Sequence, residues 1–449
     1  MTWLERVLLG IAIFEIPLEI DKYFLYDDHA ASWGAVGGIN ISVTLLCMIA
    51  LYGIWFSGAA VRRSLKIREV TFGLPMVFYL GAIALSVLPA TKSMLVLFEW
   101  WLVGQAFMIF FYIANRIRTR DDLFFCVMVL AGALLFQALL IFGMFATGID
   151  ADERSIGPLH LTVWEGKRQA GTMQSPVLAG STMALIWLPV ATAAICPLKK
   201  WASRFLLLAA VAGMVAILLT QTRGAILTSA IGCLIIGVGL FSRRWLPRWT
   251  IAAAAVLAML SLYPLYILYD KRIREGDGES AIARKHMSLM AMEMIADRPF
   301  IGYGSGNCHI AGLKYANQGK WRGEWYYTIH SKYLLVWIET GILGIGTFLA
   351  ILINGLRQGM SVWLTRRPML APIGLALAAA IVGHGLHMSV DIFNSRMQVH
   401  VLWTILAIAA AAYRLAHEPE EQRRGKISRS LNTQAWIDQP ASRSVGGIA

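Results

Sequence analysis

The sequence predicts an all-α, polytopic membrane protein with about 12 transmembrane helices and one long extramembrane loop that itself contains a helix. Three observations predict it. The 449 residues are 57% hydrophobic and only 15% charged, with a mean hydropathy of +0.59, whereas soluble domains run about 45–50% apolar and about 25% charged. Apolar runs long enough to span a bilayer recur along the whole chain. The basic residues gather in the short links between those runs, where membrane topology concentrates them. In a soluble protein the net charge of +13 would point to nucleic acid. This distribution points to a membrane surface instead, and no nucleic-acid partner is expected.

Taken in order, the apolar runs fall near 6–20, 38–57, 71–88, 93–113, 123–146, 177–196, 203–220, 224–241, 249–268, 331–353, 369–390 and 396–414. The first is the weakest, being short and carrying Glu15 and Glu19. No small-residue cleavage site follows it, so it does not read as a signal peptide. One set of links, from Arg62 to Arg367, carries 16 Lys and Arg residues, and the alternate short links carry 7. The rich side is read as cytoplasmic. Both termini then face the cytoplasm, and the long loop of about 269–330 faces outward together with Arg223. Residues 1–415 make one membrane domain, and 416–449 read as a disordered cytoplasmic tail. The outer links 21–37 and 147–176 receive no assignment.

Five cysteines stand at 47, 126, 196, 233 and 308, with no CxxC or metal spacing. Neither a disulfide nor a metal site is expected, and no cofactor. Within the long loop a helix is predicted over about 280–296. Ala283, Met287, Met290 and Met294 fall on one face of it. That stripe would pack on the bundle, or lie at the lipid interface where an acyl chain could reach it.

Polar residues suited to chemistry collect on the outer side. Arg223 occupies a very short link, Thr220-Gln221-Thr222-Arg223-Gly224. Arg284 lies on the loop helix, and His330 lies where the loop re-enters the membrane. Arginine presents a permanent charge and a planar donor fork suited to phosphate. Histidine can take a proton near neutral pH. Two arginines and a histidine on one face fit a pyrophosphate leaving group and a hydroxyl acceptor, and they fit equally the snorkelling arginines of a plain membrane interface. The turn Gly302-Tyr303-Gly304-Ser305-Gly306 lacks the Lys-Ser/Thr of a P-loop and reads as a tight turn after Pro299. His384, His387 and Asp391, spaced i, i+3 and i+7, are expected on one helix near its outer end. Glu99 and Glu339 are expected inside spans, paired with basic or backbone groups.

These residues together resemble the bacterial O-antigen ligase and polysaccharide polymerase superfamily. The resemblance rests on Thr222-Arg223-Gly224, and on Arg284 followed by Pro299-Phe300-Ile301-Gly302-Tyr303-Gly304. It continues in His330 followed by Glu339-Thr340-Gly341-Ile342-Leu343-Gly344, and is preceded by Arg168-Gln169-Ala170-Gly171-Thr172 with Pro176. Ser331 stands where many members carry Asn. The motifs cover about 165–345. The resemblance implies a metal-independent, inverting glycosyltransferase of the bacterial inner membrane, acting at its periplasmic face on an undecaprenyl-pyrophosphate-linked glycan. The acceptor would be lipid A-core (an O-antigen ligase) or another lipid-linked glycan (a polymerase). His330, Arg284 and Arg223 would be catalytic. Arg168 would hold donor phosphates, and Tyr303, Lys332, Glu339, His387 and Asp391 would line the substrate site. The Met-lined loop helix would help hold the polyprenyl chain. A lipid-linked oligosaccharide flippase, or another 12-span secondary transporter, is the rival from a different class. It matches the topology but not the ordered loop motifs.

Overall fold

The computed structural model describes residues 1–61, 67, 73–148, 153–156, 159–164, 168–245, 278–316 and 327–418. It is dominated by helices: α1 (Trp3–Glu15), α2 (Asp28–Ser32), α3 (Val43–Val61), α4 (Leu74–Leu85), α5 (Ser93–Arg116), α6 (Arg120–Thr147), α7 (Pro176–Ala194), α8 (Lys200–Leu219), α9 (Arg223–Ser242), α10 (Gly278–Asp297), α11 (Cys308–Ala316), α12 (Lys332–Leu364), α13 (Ala371–His387) and α14 (Arg396–His417). Eight of them, α3, α5 to α9, α12 and α14, are long and apolar enough to cross a bilayer; α4 and α13 are apolar but shorter. The expected span 249–268 and the tail beyond 418 lie outside the described residues.

The first expected span is observed as the short helix α1, which runs from the Arg116 end of the bundle to the Arg396 end. α1 has 13 residues, about 20 Å at 1.5 Å per residue, which is short of a bilayer core of about 30 Å. Its end is set by Glu15, whose carboxylate turns back to accept the Ile20 and Thr44 backbone N–H groups and the Arg396 guanidinium. The second expected span starts late for a related reason. Residues 38–42 are not helical but form β2 (Gly38–Ser42), antiparallel to β1 (Asp21–Tyr26). The link 21–37 is therefore a hairpin carrying the single-turn helix α2. The link 147–176 contains a second small sheet, β3 (Glu153–Ile156), β4 (Leu159–Trp164) and β5 (Arg168–Gln169), all antiparallel.

Buried ion pairs tie distant parts of the bundle. Arg396 meets both Glu15 (2.8 Å) and Asp21 (3.0 Å), and Arg116 meets Glu5. At the same end as Arg116, Arg6 meets Asp122 at 2.8 Å, and Arg414 donates to the carbonyls of Ala114 and Ile117. The start of α1 and the end of α14 thus share one end of the bundle. Breaking one partner of such a buried pair typically costs about 3–5 kcal/mol.

α10 runs slightly beyond its expected range. Ala283, Met287, Met290 and Met294 are all buried, and the three methionines pack in one cluster with Ile329, Leu335 and Ile338. The methionine stripe is thereby covered by protein, which corrects the expectation that it holds a polyprenyl chain. The exposed side of α10 carries Ile282, Leu289 and Met292 instead. The loop also contains the unexpected α11, which completes the cluster with Cys308 and Tyr315.

α12 is 33 residues long and broken at Gly341, with φ 65° and ψ −164°. The break is filled by the glycine turn. Tyr303 N–H donates to the Ile338 carbonyl, Gly304 N–H to the Glu339 carbonyl, and Ile342 N–H to the Pro299 carbonyl, each within 3.0 Å. A helix break leaves backbone groups that must find partners, and the turn supplies them. The Pro-Phe-x-Gly-x-Gly and Glu-x-Gly-x-x-Gly motifs are two halves of one unit.

Candidate active site

The end of the bundle where α9 and α12 begin brings together residues from five parts of the chain. The ordering starts with Arg168. Its Nε donates to the Thr220 carbonyl at 3.1 Å, and its Nη2 lies 3.4 Å from Thr222 Oγ1. Thr222 in turn donates to the Pro176 carbonyl at 2.8 Å, fixing the turn between α8 and α9. Gly180 gives that turn room, since a Cβ there would meet Thr220 Oγ1 at 2.7 Å. Arg168 is therefore held beside Arg223, the first residue of α9.

The next residue, Gly224, touches His387. A Cβ on Gly224 would sit 2.2 Å from His387 Nε2, so the start of α9 and the end of α13 are in van der Waals contact. The Arg284 charge acts on both His330 and His387, and so does the Asp391 carboxylate. Arg168, Arg223, His387, Asp391, Arg284 and His330 thus form one continuous neighbourhood. His330 itself is half-buried, with the Tyr327 ring centroid 5.3 Å away. Burial pushes its imidazole below the ordinary histidine range, the Arg284 charge adds to that shift, and the Asp391 carboxylate opposes it. An imidazole held in this way is neutral at pH 7 and able to accept a proton. Among the described residues, neither His330 Nδ1 nor His387 Nδ1 has a hydrogen-bond partner.

Asp391 departs from the expected helical arrangement. α13 ends at His387, and the following Ser389-Val390-Asp391 lies in a turn rich in side chains that compete for backbone hydrogen bonds. The Asp391 carboxylate accepts from Ile392 N–H at 2.9 Å and from Gln398 Nε2 at 3.0 Å. Gln398 Nε2 also reaches Ser181 Oγ at 2.7 Å. Gln398 and Ser181 escaped the sequence reading, although a glutamine inside an apolar run is itself a signal. His384 is fully buried against the Phe393 ring, 4.6 Å between centroids.

Three other candidates have their polar atoms committed to protein. Tyr303 shares a 2.5 Å hydrogen bond with the Tyr315 hydroxyl, and Arg298 lies over its ring. Lys332 is 3.6 Å from Glu99 and donates to Asn394. The Glu339 carboxylate faces the backbone N–H groups of Gly306 and Cys308, at the glycine turn and the start of α11. These residues frame the segment that carries His330. A further support comes from the link 21–37, where both the Thr328 N–H (2.9 Å) and the Thr328 hydroxyl (2.7 Å) donate to the Trp33 carbonyl. The hairpin thereby grips the chain two residues before His330. Among the described residues no group of three His, Cys, Asp or Glu side chains is arranged to hold a metal ion.

Comparison with known proteins fits this geography. No curated protein matches the chain. Residues 205–349 match the family model described as O-antigen ligase. The matched stretch runs from α8 into α12 and supplies Arg223, Arg284, the glycine turn, His330 and Glu339; Arg168, His387 and Asp391 lie outside it. Over those residues the chain is similar to that family, and the match suggests a ligase- or polymerase-type glycosyltransferase acting on glycan and lipid-linked substrates.

Proposed function

We propose that the chain transfers a glycan from undecaprenyl pyrophosphate to an acceptor hydroxyl at the periplasmic face of the bacterial inner membrane. The acceptor is lipid A-core, as in an O-antigen ligase, or a lipid-linked repeat, as in a polymerase. The observation that carries this reading is the convergence of Arg168, the Arg223–Gly224 helix start and Arg284 around His330 and His387. His330 would take the proton of the acceptor hydroxyl as its oxygen bonds to the anomeric carbon. The bond from that carbon to the pyrophosphate oxygen would break on the opposite side, inverting the configuration. Arg223 and Arg284 would stabilise the charge gathering on the leaving pyrophosphate. The first turn of α9 adds backbone N–H groups that favour an anion. Arg168 would hold the donor phosphates and the turn together. His387 and Asp391 would position the acceptor, with Gln398 fixing the carboxylate. Tyr303, Lys332 and Glu339 would act through the shape of the His330 segment. Orientation follows the sequence charge asymmetry, with both termini cytoplasmic.

The flippase or transporter reading is disfavoured by where the polar groups lie. Transporter sites are typically near the bilayer midplane, whereas this cluster sits at one end of the spanning helices. The test is reconstitution of the purified full-length protein in vesicles with a synthetic polyprenyl-pyrophosphate glycan and an acceptor. Formation of the glycosylated acceptor, abolished in His330→Ala, is the expected result. Movement of the lipid-linked glycan across the bilayer without transfer would overturn the proposal.

A further inference from the structure

The end of the bundle remote from His330 carries a second, separate feature. α9 and α12 start beside the candidate active site, at Arg223 and Lys332, and run away from it to Ser242 and Leu364. Each is followed by an arginine in the left-handed region, Arg244 at φ 56° and Arg366 at φ 55°. After α9, Arg244 N–H donates to the Phe241 carbonyl (2.9 Å) and Trp245 N–H to the Leu240 carbonyl (3.0 Å), the paired bonds of a helix stop that glycine usually occupies because a Cβ is strained there.

The side chains around these two stops enclose a space. Arg243 lies over the Trp363 ring, 3.7 Å from its centroid, and donates to the Trp363 carbonyl. Trp245 meets Trp363 edge-on at 5.7 Å. Beside them is a cavity of about 400 Å³ whose lining includes Ile195, Leu240, Trp245, Pro368 and Arg366. Arg243 and Arg366 lie close enough for their like charges to act on each other. Among the described residues neither is paired with a carboxylate. Arg244 and Arg367 add two more positive charges at the same helix ends. Among the described residues the site therefore has cations without a counter-charge, an apolar and aromatic wall, and a position where spanning helices emerge. Arginine forks suit phosphate oxygens, and basic pockets between spanning helices suit anionic lipid headgroups. The cavity is at the low end of the roughly 300–1,000 Å³ usual for small-ligand sites, enough for the headgroup-proximal part of a lipid whose chains continue into the bilayer.

We infer that Arg243 and Arg366, with the cavity walled by Trp245, Leu240 and Ile195, form a binding site for an anionic phospholipid at the face opposite the candidate active site. The phosphate lies between the two guanidinium groups and the root of an acyl chain enters the cavity. Such a lipid neutralises the repulsion between the arginines and ties the ends of α9 and α12 together. A zwitterionic lipid fits less well, because its ammonium adds to a cluster of four arginines.

The test uses the full-length protein in phospholipid-free micelles, titrated with dioleoyl phosphatidylglycerol, dioleoyl phosphatidylcholine or glycerol phosphate and read by native mass spectrometry. The expected result is one tightly held phosphatidylglycerol, with phosphatidylcholine about tenfold weaker. Arg366→Gln, an exposed side chain, weakens phosphatidylglycerol about tenfold, as loss of one charge-assisted contact does, and Arg243→Gln/Arg366→Gln weakens it further. Ile195→Trp keeps both arginines but fills the cavity, and it also weakens the lipid. Undiminished phosphatidylglycerol binding in Arg366→Gln and in Ile195→Trp overturns the site. Equal binding of phosphatidylcholine overturns the charge selectivity, and glycerol phosphate competing at equal concentration reassigns the cavity to a free anion and overturns the lipid.

Discussion

Gly341→Ala is the sharpest test of the idea that the glycine turn and the α12 break are one unit. At φ 65° and ψ −164°, Gly341 occupies a region that is essentially glycine-only. An alanine Cβ would also sit 2.1 Å from the Phe300 carbonyl oxygen and 2.7 Å from the Ile301 nitrogen. Both are backbone atoms, so no side chain can swing aside. The backbone conformation alone costs about 1–3 kcal/mol for an L-residue, and forcing a methyl into a filled space adds about 1–3 kcal/mol. The sum is about 2–6 kcal/mol, concentrated where Tyr303, Gly304 and Ile342 make their cross-motif hydrogen bonds. The assay is thermal unfolding of the detergent-solubilised protein together with glycan transfer. The neighbouring Gly346, whose added Cβ meets nothing within 4 Å, serves as the control, and Gly346→Ala should leave both unchanged. A Gly341→Ala protein as stable and active as wild type would refute the reasoning, because the break would then not depend on glycine.

Four other outcomes are expected. His330→Ala should lower transfer by about 10²–10⁴-fold, the usual cost of losing a general base, with normal membrane insertion; near wild-type turnover makes His330 structural. In the proposed role the neutral His330 imidazole is the active form, and its proton affinity is lowered, so transfer should hold at neutral pH and fall only as pH drops through that lowered value. Arg284→Gln removes one cause of lowering and should move this acid limb up, whereas Asp391→Asn removes the opposing influence and should move it down; shifts in the same direction in the two pH–rate profiles exclude His330 as the titrating group. Gly224→Ala, on a helical backbone that accepts alanine, should displace His387 and reduce turnover while barely changing the melting temperature, and a variant of normal turnover would separate His387 from the site. Lysine at Arg223 or Arg284 should substitute poorly, since a point charge lacks the two-pronged fork, and transfer should persist in excess chelator; full activity in both lysine variants removes the phosphate-clamp role.

Much of the scaffold is readable from the residues. α5 to α9 fall within a few residues of their apolar runs because continuous apolarity and helix length coincide there. The methionine spacing marked the buried face of α10, since periodicity reports which side is covered. What covers it was not readable: only packing against Leu335 and Ile338 shows that the stripe is closed to a lipid chain. Local composition also misjudged Gly38–Ser42, a β-branched apolar segment whose partner strand begins 17 residues earlier. Asp391 left its expected helix because Ser389, Asn394 and Ser395 favour a turn. In the candidate site, the order of Arg168, Arg223, Arg284 and His330 was visible through family-like motifs. The contacts of Gly224 with His387, Gln398 with Ser181, and Trp33 with Thr328 were not, because each joins segments far apart in sequence with no pattern of its own.

The grip of Trp33 on Thr328 spans 295 residues, and the Arg396–Glu15 pair spans 381. These separations set a clock on biogenesis. While the chain is being inserted, the hairpin emerges early and then waits: the Trp33 carbonyl for Thr328, just ahead of α12, and the Glu15 carboxylate for Arg396, at the start of α14. The His330 segment is completed later still, when Met388 and Asn394 reach Lys332. A chain stalled before α14 would keep most of its spans yet hold a buried acid with no cation. That unpaired buried carboxylate would mark the intermediate as incomplete.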